Sequence, residues 1–248
     1  MKVSTKNMFF AALGLVLMLS GCEQEAVQTL PERNFQLVWS DEFEGAAGLA
    51  PDAANWDYDL GNGCPNLCGW GNGEFQVYTD NAENVALDGD GNLVITAIRN
   101  AGPNYTSARI KTENLFDQRY GRFEARIKTP TGPGIWPAFW MLGSDCADVG
   151  WPQCGEIDIM EQRGQESFIT HGSVHGPGYS GGDAITKKFG LQDGRFDSDF
   201  YVYAVEWGEG YIDFFVDDNL YQRIEPVDAP GEWVYDHGNI QDDMKVVV

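Results

Sequence analysis

Short runs in which apolar and polar residues alternate, separated by glycine, asparagine, aspartate and proline, dominate the chain from Phe35 onwards. In residues 122–128 every second side chain is apolar and the others are charged, so one face is buried and the other meets water. Residues 201–207, 211–216 and 220–224 are typical of three consecutive strands joined by turns. Helical periodicity is nearly absent. The pattern therefore predicts an all-β fold, an antiparallel β-sandwich.

The size and charge of the chain limit what it can be. A chain of 248 residues suits one sandwich domain, and an apolar content of 43% is sufficient for a packed core. The formal net charge of -22 repels nucleic acid and anionic polymers, whereas a neutral polysaccharide experiences no such repulsion. We therefore expect no nucleic-acid partner and favour an uncharged glycan. The charge is equally consistent with a role in solubility alone.

The N-terminus has the features of an export signal. Lys2 and Lys6 precede an apolar stretch, residues 8–19, which is shorter than the roughly 20 residues that a membrane-spanning helix needs. The sequence Leu-Ser-Gly-Cys that ends at Cys22 resembles the lipobox of bacterial lipoproteins. This resemblance implies cleavage before Cys22 and acylation of that cysteine. An ordinary signal peptide that happens to contain a cysteine is the weaker alternative.

These features predict how the chain is divided. Residues 1–21 form a lipoprotein signal peptide, residues 22–34 comprise the lipidated cysteine and a polar tether, and residues 35–248 form the domain. The protein is expected to be exported and lipid-anchored at the cell envelope. Glu23 after the cysteine is similar to the outer-membrane address of Gram-negative lipoproteins. We expect the membrane to be contacted through the anchor only, and the protein to be a monomer.

Four cysteines remain after Cys22, namely Cys64, Cys68, Cys146 and Cys154. In an oxidising compartment an even number of cysteines predicts disulfides. Four cysteines allow three connectivities, which the sequence leaves open. Local pairing of the first two and of the last two would close one loop each. A zinc site would need tighter paired spacings.

The segment from Gly155 to Gly164 carries three acids, Glu156, Asp158 and Glu161, among apolar residues. On a regular strand the first two point to one face and the third points to the other. One extra residue in a β-bulge near Met160 would return the third acid to the same face. Three like charges on one face repel one another, so a strand selected only for folding would rarely carry them.

Paired carboxyl groups are the machinery of retaining glycosidases. These enzymes place two of them about 5–5.5 Å apart, one ionised to attack the anomeric carbon and one protonated to release the leaving oxygen. Glu156 and Glu161 fit these two roles, and Asp158 between them could hydrogen-bond Glu156 and share a proton with it. A solvated acidic strand face is the alternative.

The sequence Glu-Ile-Asp-Ile-Met-Glu at residues 156–161 resembles the active-site signature of glycoside hydrolase family 16, in the bulged form of laminarinase-like members. The likeness extends to LVWSDEF at residues 37–43, WGNGEFQVYT at 70–79, GIWPAFWML at 134–142 and SVHGPG at 173–178. It implies a β-jelly-roll with a concave cleft that cleaves β-1,3-glucans or mixed β-1,3/1,4-glucans internally. Glu156, Asp158 and Glu161 then match the nucleophile, the helper and the acid/base.

The same resemblance suggests which residues bind substrate. Trp136 and Trp140 would line the cleft with flat faces that suit pyranose rings, although each alone could equally be a core residue. The other matched positions are His175, Arg109, Asn72 and Glu74. His171 has a metal-like spacing from His175, but no third ligand is evident, so no metal is assigned to the cleft.

Family members require no cofactor, and many bind a structural calcium. Glu42 and Gly91 could match two of its ligands, whereas no late aspartate matches the third. The family pattern usually continues beyond residue 237 with another central strand, and here residues 238–248 depart from it. Residues 244–248 resemble a remnant of the last strand. We expect an incomplete C-terminal region and unpaired backbone groups at the centre of the sheet.

The sequence therefore predicts a retaining endo-glycosidase that acts on a neutral β-glucan, laminarin-like or of mixed linkage. A family 16 enzyme that acts on lichenan, agarose or carrageenan shares the same acids. A non-catalytic, cell-surface glucan-binding lipoprotein is the alternative from another class. Binding relatives usually lose the catalytic glutamates, and both are present here.

Overall fold

The computed structural model describes residues 33–101, 104–236 and 244–248. The predicted signal peptide, Cys22 and the tether up to residue 32 lie outside these residues. Residues 35–248 group into one compact unit. In the described part of the chain, no helix is both long and apolar enough to cross a membrane.

The described residues are folded almost entirely as strands, which confirms the all-β prediction. The strands are β1 (Asp57–Asp59), β2 (Gln76–Tyr78), β3 (Val85–Leu87), β4 (Leu93–Ile95), β5 (Ile98–Arg99), β6 (Tyr105–Ser107), β7 (Arg109–Lys111), β8 (Asp117–Gln118), β9 (Gly121–Ile127), β10 (Ala138–Gly143), β11 (Glu156–Glu161), β12 (Ile169–His175), β13 (Ile185–Gly190), β14 (Tyr201–Gly208), β15 (Tyr211–Val216), β16 (Asn219–Ile224) and β17 (Met244–Val247). One short α-helix, α1 (Cys146–Val149), and 3-10 turns at Cys68–Gly71, Gly181–Asp183 and Pro226–Asp228 complete the described elements.

The larger sheet runs in the order β1-β7-β17-β10-β11-β12-β13, and β8 pairs with β17 beside it. The second sheet runs β16-β15-β14-β9 and contains the predicted meander as β14, β15 and β16. Every pairing in these two sheets is antiparallel. Strand β11, which carries the three acids, therefore has a partner on each side.

The hydrophobic core is built from apolar side chains of both sheets. Residues Ile110, Met141, Ile157 and Val174 come from the larger sheet, and Phe123, Val205, Trp207, Ile212 and Phe214 come from the second sheet. Burying one such large apolar side chain contributes about 1.5–3 kcal/mol. One face of the larger sheet is thus covered, and the other face is left for the polar side chains that alternate with the core residues.

Strand β17 lies near the centre of the larger sheet, where the sequence predicts unpaired backbone groups. It pairs along its length with β10 and contacts β7 at Val247. Backbone hydrogen bonds join Val248 to Ile110 in both directions, and Thr112 N donates to Val246 O. The structure differs from this expectation, because strand β17 (Met244–Val247) pairs with β10 and β7 and so satisfies the backbone groups that were expected to be unpaired.

The two disulfides have the local pairing, one of the three connectivities that the sequence leaves open. Cys64 is bonded to Cys68, and Cys146 is bonded to Cys154. The first closes the loop before the 3-10 turn Cys68–Gly71, and the second closes the connection between β10 and β11. Each disulfide therefore fixes a loop beside the face that carries the acids.

Candidate active site

A β-bulge in β11 places the three acids on one face of the larger sheet. Across β10, Trp140 is the partner of Asp158 whereas Phe139 is the partner of Met160, so Ile159 is the extra residue. This is the bulge that the spacing of the acids predicts. Met160 is buried in the core, and the acids point away from it. We call their side of the sheet the catalytic face.

Strand β12 presents a matching row of polar side chains. Glu156 pairs with His175, Asp158 with Ser173, and Glu161 with His171. The intervening Gly172 faces the core, because a Cβ added there would lie 2.6 Å from the Phe214 ring. His175, Ser173 and His171 therefore point to the catalytic face.

Two exposed tryptophans hydrogen-bond the two glutamates. Trp151 Nε1 donates to Glu156 Oε2 at 2.7 Å, and Trp136 Nε1 donates to Glu161 Oε1 at 3.1 Å. The exposed fractions of Trp151 and Trp136 are 47% and 52%. Apolar rings of this size are normally buried, so their exposure beside two carboxylates favours a ligand-binding surface.

The deepest of the three acids is Asp158, whose exposed fraction is 3%. Burial raises the pKa of the Asp158 carboxyl well above its usual value, and the charge of Glu161 raises it further. Burial likewise raises the pKa of Glu156, with the charge of Asp158 adding to this, while His175 and the hydrogen bond from Trp151 lower it. The carboxyls of Glu156 and Asp158 are hydrogen-bonded to each other, so the pair titrates together.

His175 fits a hydrogen-bonding role better than a metal-binding one. Glu156, Asp158 and His175 each have a ligand atom within 4.8 Å of the others, a spacing that a metal ion could bridge. However, the backbone N–H of Gly181 donates to His175 Nδ1 at 3.0 Å, so the proton of the neutral ring sits on Nε2. That nitrogen lies 2.9 Å from Asp158 Oδ2. A metal ligand would need a lone pair on Nε2 and a proton on Nδ1, so these residues do not fit a metal centre.

A second polar cluster is formed by β2, the segment before it, and β7. Tyr78 Oη donates to Glu74 Oε2 at 2.9 Å, and Asn72 Nδ2 donates to Glu74 Oε1 at 3.2 Å. Burial and the charge of Glu74 raise the pKa of Tyr78, so its hydroxyl remains a donor. The Arg109 guanidinium lies 5.0 Å from the Tyr78 ring centre and 5.8 Å from that of Trp140.

Asp59 and Trp70 hold Arg109 in this cluster. Arg109 Nε donates to Asp59 Oδ2 at 2.7 Å. The guanidinium lies 4.0 Å from the centre of the Trp70 ring, which is within the range of a cation–π contact. The Arg109 side chain is therefore fixed on one side by a charge and on the other by an aromatic face.

The structure brings the predicted catalytic and substrate-binding residues together in two neighbouring clusters. Trp140 links the two clusters, because it faces Asp158 across the sheet and lies near Arg109. The sequence reasoning missed four residues, namely Asp59, Trp70, Tyr78 and Trp151. Trp70 and Tyr78 lie in the family-like segment 70–79, and Trp151 lies between Cys146 and Cys154 shortly before the acids, so these three had a sequence signal, whereas Asp59 had none.

Comparison with known proteins agrees with this geometry. The chain is 40% identical over 225 residues to the beta-glucanase of Rhodothermus marinus, a match that spans 88% of this chain and 76% of that protein. The structure of the laminarinase catalytic domain from Thermotoga maritima MSB8 superposes with a TM-score of 0.77 at 40% identity, covering 87% of this chain and 86% of that one. For the endo-beta-1,3-glucanase of Pyrococcus furiosus the TM-score is 0.75 at 39% identity, covering 86% and 82%.

The fold is therefore the predicted β-sandwich of jelly-roll type. The family model described as "Glycosyl hydrolases family 16" matches residues 69–246, which contain all three acids and every predicted substrate-binding residue. On this match, and on its identity to relatives along most of its length, the chain belongs to glycosyl hydrolase family 16.

Proposed function

We propose that the protein is a retaining endo-glycosidase that hydrolyses β-1,3-glucan of the laminarin type, or mixed β-1,3/1,4-glucan. The observation that carries this proposal is the bulged strand β11, which presents Glu156, Asp158 and Glu161 on one face with a tryptophan N–H on each glutamate. The similarity to laminarinases supports the choice of glucan.

The reaction proceeds in two displacements. The Glu156 carboxylate attacks the anomeric carbon and forms a glycosyl ester, while the bond to the leaving oxygen breaks and Glu161 gives that oxygen its proton. Glu161, now a carboxylate, takes a proton from water as the water oxygen attacks the same carbon and releases Glu156. Two inversions give net retention, and the chemistry of the family needs no cofactor.

We use the positions of the aromatic residues to propose which side of the scissile bond each residue contacts. Trp136 hydrogen-bonds the proton donor Glu161 and therefore lies on the leaving-group side. Trp140 lies on β10 and Arg109 on β7, two strands that β17 separates in the larger sheet. We assign these two, with Asn72 and Glu74, to the sugars that precede the cleaved bond, and His175 to the support of Asp158.

The test is reducing-sugar release from laminarin, lichenan, agarose and carrageenan by the purified protein. We expect release from laminarin, with initial products that retain the β configuration by NMR. Glu156→Gln and Glu161→Gln should each lower kcat by at least about 100-fold, the scale of lost acid–base or nucleophilic catalysis. Glu209→Gln, at an exposed turn outside the site, is the matched control and should leave kcat unchanged.

Two other outcomes would change the proposed substrate or the proposed function. Turnover of agarose or carrageenan without laminarin turnover would overturn the substrate claim and keep the mechanism. A folded protein that binds laminarin and releases no sugar would establish the glucan-binding alternative, despite the presence of both glutamates.

We also propose a structural calcium near Glu42 and Gly91. The backbone of Gly91 approaches Glu42, since a Cβ added there would lie 3.8 Å from the Glu42 carbonyl oxygen. Backbone carbonyl oxygens are common calcium ligands. The sequence matches two of the three calcium-binding positions of the family, and no late aspartate matches the third. A rise in Tm in calcium compared with EDTA supports the site, and equal Tm values reject it.

We further propose that the protein is an exported monomer, anchored to the outer membrane of a Gram-negative bacterium through an acylated Cys22. The lipobox-like sequence before Cys22 and Glu23 after it support this proposal. Cys22→Ser should move the enzyme from the membrane fraction to the soluble fraction. An unchanged distribution would reject the anchor, and light scattering would test the monomer.

A further inference from the structure

Ser173 is a buried polar residue on the catalytic face that the function derived above does not use. It is the partner of Asp158 on β11 and of Thr186 on β13. Its exposed fraction is only 2%, although its side chain carries a hydroxyl. Because a buried hydroxyl is normally hydrogen-bonded, the partners of Ser173 indicate what it does.

The hydroxyl of Ser173 lies between Thr186 and the proton donor Glu161. Thr186 Oγ1 donates to Ser173 Oγ at 2.9 Å, and Ser173 Oγ donates to Glu161 Oε2 at 3.5 Å. A hydroxyl has one proton and two lone pairs. Because Thr186 occupies a lone pair of Ser173, the proton of Ser173 is directed to Glu161. The two hydroxyls thus form a chain of donors that ends on the carboxyl group, and each bond in such a chain strengthens the next.

The two carboxyl oxygens of Glu161 have different partners. Oε1 accepts the indole N–H of Trp136 at 3.1 Å, and an indole is a donor only. The proton that Glu161 gives to the leaving oxygen therefore belongs to Oε2, which is the oxygen that Ser173 faces. Ser173 is thus in contact with the oxygen whose charge changes during the reaction.

The contact between Ser173 and Glu161 is long, and its length suits a group that acts in the transition state. Bonds between a hydroxyl and an oxygen usually measure about 2.5–3.0 Å, whereas this one measures 3.5 Å. As Glu161 loses its proton, negative charge develops on Oε2 and the bond becomes charge-assisted, which makes it roughly twice as strong. An interaction that is stronger in the transition state than in the ground state raises kcat.

Resting on the proposed function, we propose that Ser173 is a positioning residue of the acid/base Glu161, whose hydroxyl, oriented by Thr186, stabilises the carboxylate that forms as the leaving group departs. Thr186 is exposed and lies on β13, the edge strand of the larger sheet. The chain of hydroxyls therefore reaches Glu161 from the side of the sheet and leaves the catalytic face free for the sugar.

Other titratable and charged side chains also face Glu161. They are the same in the wild type and in the variants described below, so a difference between these proteins reports the hydroxyls alone. These side chains are Glu156 and Asp158 on β11, His171 and His175 on β12, Lys188 as the partner of His171 on β13, and Arg163 in the loop after β11, where it pairs with Glu166.

Ser173→Ala removes the donor that faces Oε2. The ionised form of Glu161 is then less stable, so the alkaline limb of the pH profile of kcat/KM on laminarin, which reports the ionisation of the proton donor, should move to higher pH. We expect kcat on laminarin to fall by about 10-fold with little change in KM, since Ser173 contacts Glu161 and not the sugar. A Ser173→Ala enzyme with the wild-type kcat and pH profile would overturn the proposal.

An aryl glycoside distinguishes this role from a structural one. A dinitrophenolate departs without a proton, so its release does not need Glu161 as an acid. We expect Ser173→Ala to hydrolyse dinitrophenyl β-laminaribioside within about 2-fold of the wild-type rate, whereas its rate on laminarin falls. An equal loss on both substrates would show that the site is distorted, and would overturn the positioning role.

Conservative variants test whether the hydroxyl itself is responsible. Ser173→Thr keeps the hydroxyl and should keep the wild-type pH profile, whereas a loss equal to that of Ser173→Ala would show a steric cause and overturn the proposal. Thr186→Val removes the first donor of the chain, and should move the alkaline limb in the same direction by a smaller amount. An unchanged profile in Thr186→Val would remove Thr186 from the proposal.

The matched control is Ser144→Ala. Ser144 Oγ donates to Asp117 Oδ2 at 3.2 Å, so this variant also removes a hydroxyl–carboxylate hydrogen bond, but at an exposed position away from Glu161. It should leave unchanged both the pH profile and the ratio of the rates on laminarin and on the aryl glycoside.

A measurement without turnover separates this inference from the proposed function. In protein labelled with 13C at the carboxyl carbon of glutamate, the signal of Glu161 is identified by its loss in Glu161→Gln. We expect its titration midpoint to lie at higher pH in Ser173→Ala than in the wild type. Equal midpoints would overturn the contact even in an active enzyme, whereas a shifted midpoint in a protein that releases no sugar would keep the contact and reject only the proposed function.

Discussion

At the scale of one residue, Asp158 shows most clearly that burying an acid in the site lowers the stability of the fold at neutral pH. Its carboxyl is buried beside two other acids, and burial raises its pKa well above the usual value. In the folded state it therefore holds a proton that the unfolded chain has released above about pH 4. Because the folded state binds the extra proton, the free energy of unfolding falls as pH rises from about 4 through the raised pKa.

Asp158→Asn should remove this fall, because the amide has no proton to lose. We expect the variant to be more stable than the wild type at pH 7, by about 1.4 kcal/mol for each unit of raised pKa, and nearly equal to it at pH 4. In a domain of this size each kcal/mol corresponds to a Tm rise of roughly 2–4 °C. Thermal unfolding at the two pH values measures the difference.

The exposed Asp193→Asn is the matched control and should show no pH-dependent gain. Because the amide still offers Glu156 a hydrogen bond, we expect Asp158→Asn to lose less activity than Glu156→Gln. A Tm difference that is the same at pH 4 and pH 7 would contradict the raised pKa.

At the scale of elements, the pairing of β11 with β12 depends on Tyr235, which belongs to neither strand. Its hydroxyl lies 2.8 Å from the carbonyl oxygen of Glu156 and 2.7 Å from that of His175, two residues that pair across the sheet. Burial raises the pKa of Tyr235 well above its usual value, so the hydroxyl stays protonated and donates. It fixes the backbone beneath the nucleophile.

Tyr235→Phe should therefore affect stability and catalysis together. Two buried carbonyl oxygens lose a donor, which costs about 1–3 kcal/mol of unfolding free energy. We expect a fall of this size in urea unfolding and a several-fold lower kcat, since Glu156 is less firmly held. Tyr105→Phe, at a partly exposed position, should change neither quantity. Lower stability with an unaltered kcat would show that the hydroxyl supports only the sheet.

Some of these structural features could be predicted from the sequence, and others could not. The bulge was predictable because the spacing of Glu156, Asp158 and Glu161 is incompatible with a regular strand on one face. The position of Arg109 in the substrate cluster was inferred only from family likeness, because its partner Asp59 lies on a strand 50 residues away in the chain. The contact of Trp151 with Glu156 depends on the path of a loop, which no periodicity encodes.

At the scale of the whole molecule, the net charge of -22 should influence substrate choice through long-range repulsion. We expect kcat/KM on a carboxymethylated β-1,3-glucan to be below that on laminarin in about 10 mM salt, where the screening length is about 30 Å. It should recover towards the laminarin value near 1 M salt, where that length is about 3 Å. Laminarin itself is the control, and its turnover should depend little on salt. A deficit that persists at high salt would indicate steric exclusion by the carboxymethyl groups.

The central position of β17 makes the last strand of the chain essential to the whole fold. Val246 is buried in the core, although it lies far in sequence from the strands β7 and β10 that flank it. A charge placed there would be buried without a partner, which costs several kcal/mol out of the roughly 5–15 kcal/mol that stabilise a domain.

Val246→Asp should therefore lower Tm by more than about 10 °C and abolish activity at temperatures where the wild type is folded. Val227→Asp is the matched control, because Val227 is 85% exposed and should accept the same charge with little change in Tm. Circular dichroism melting of the three proteins makes the comparison. If Val246→Asp melted like the wild type, β17 would not fill the centre of the sheet, and the floor of the site between Arg109 and Trp140 would have to be formed in another way.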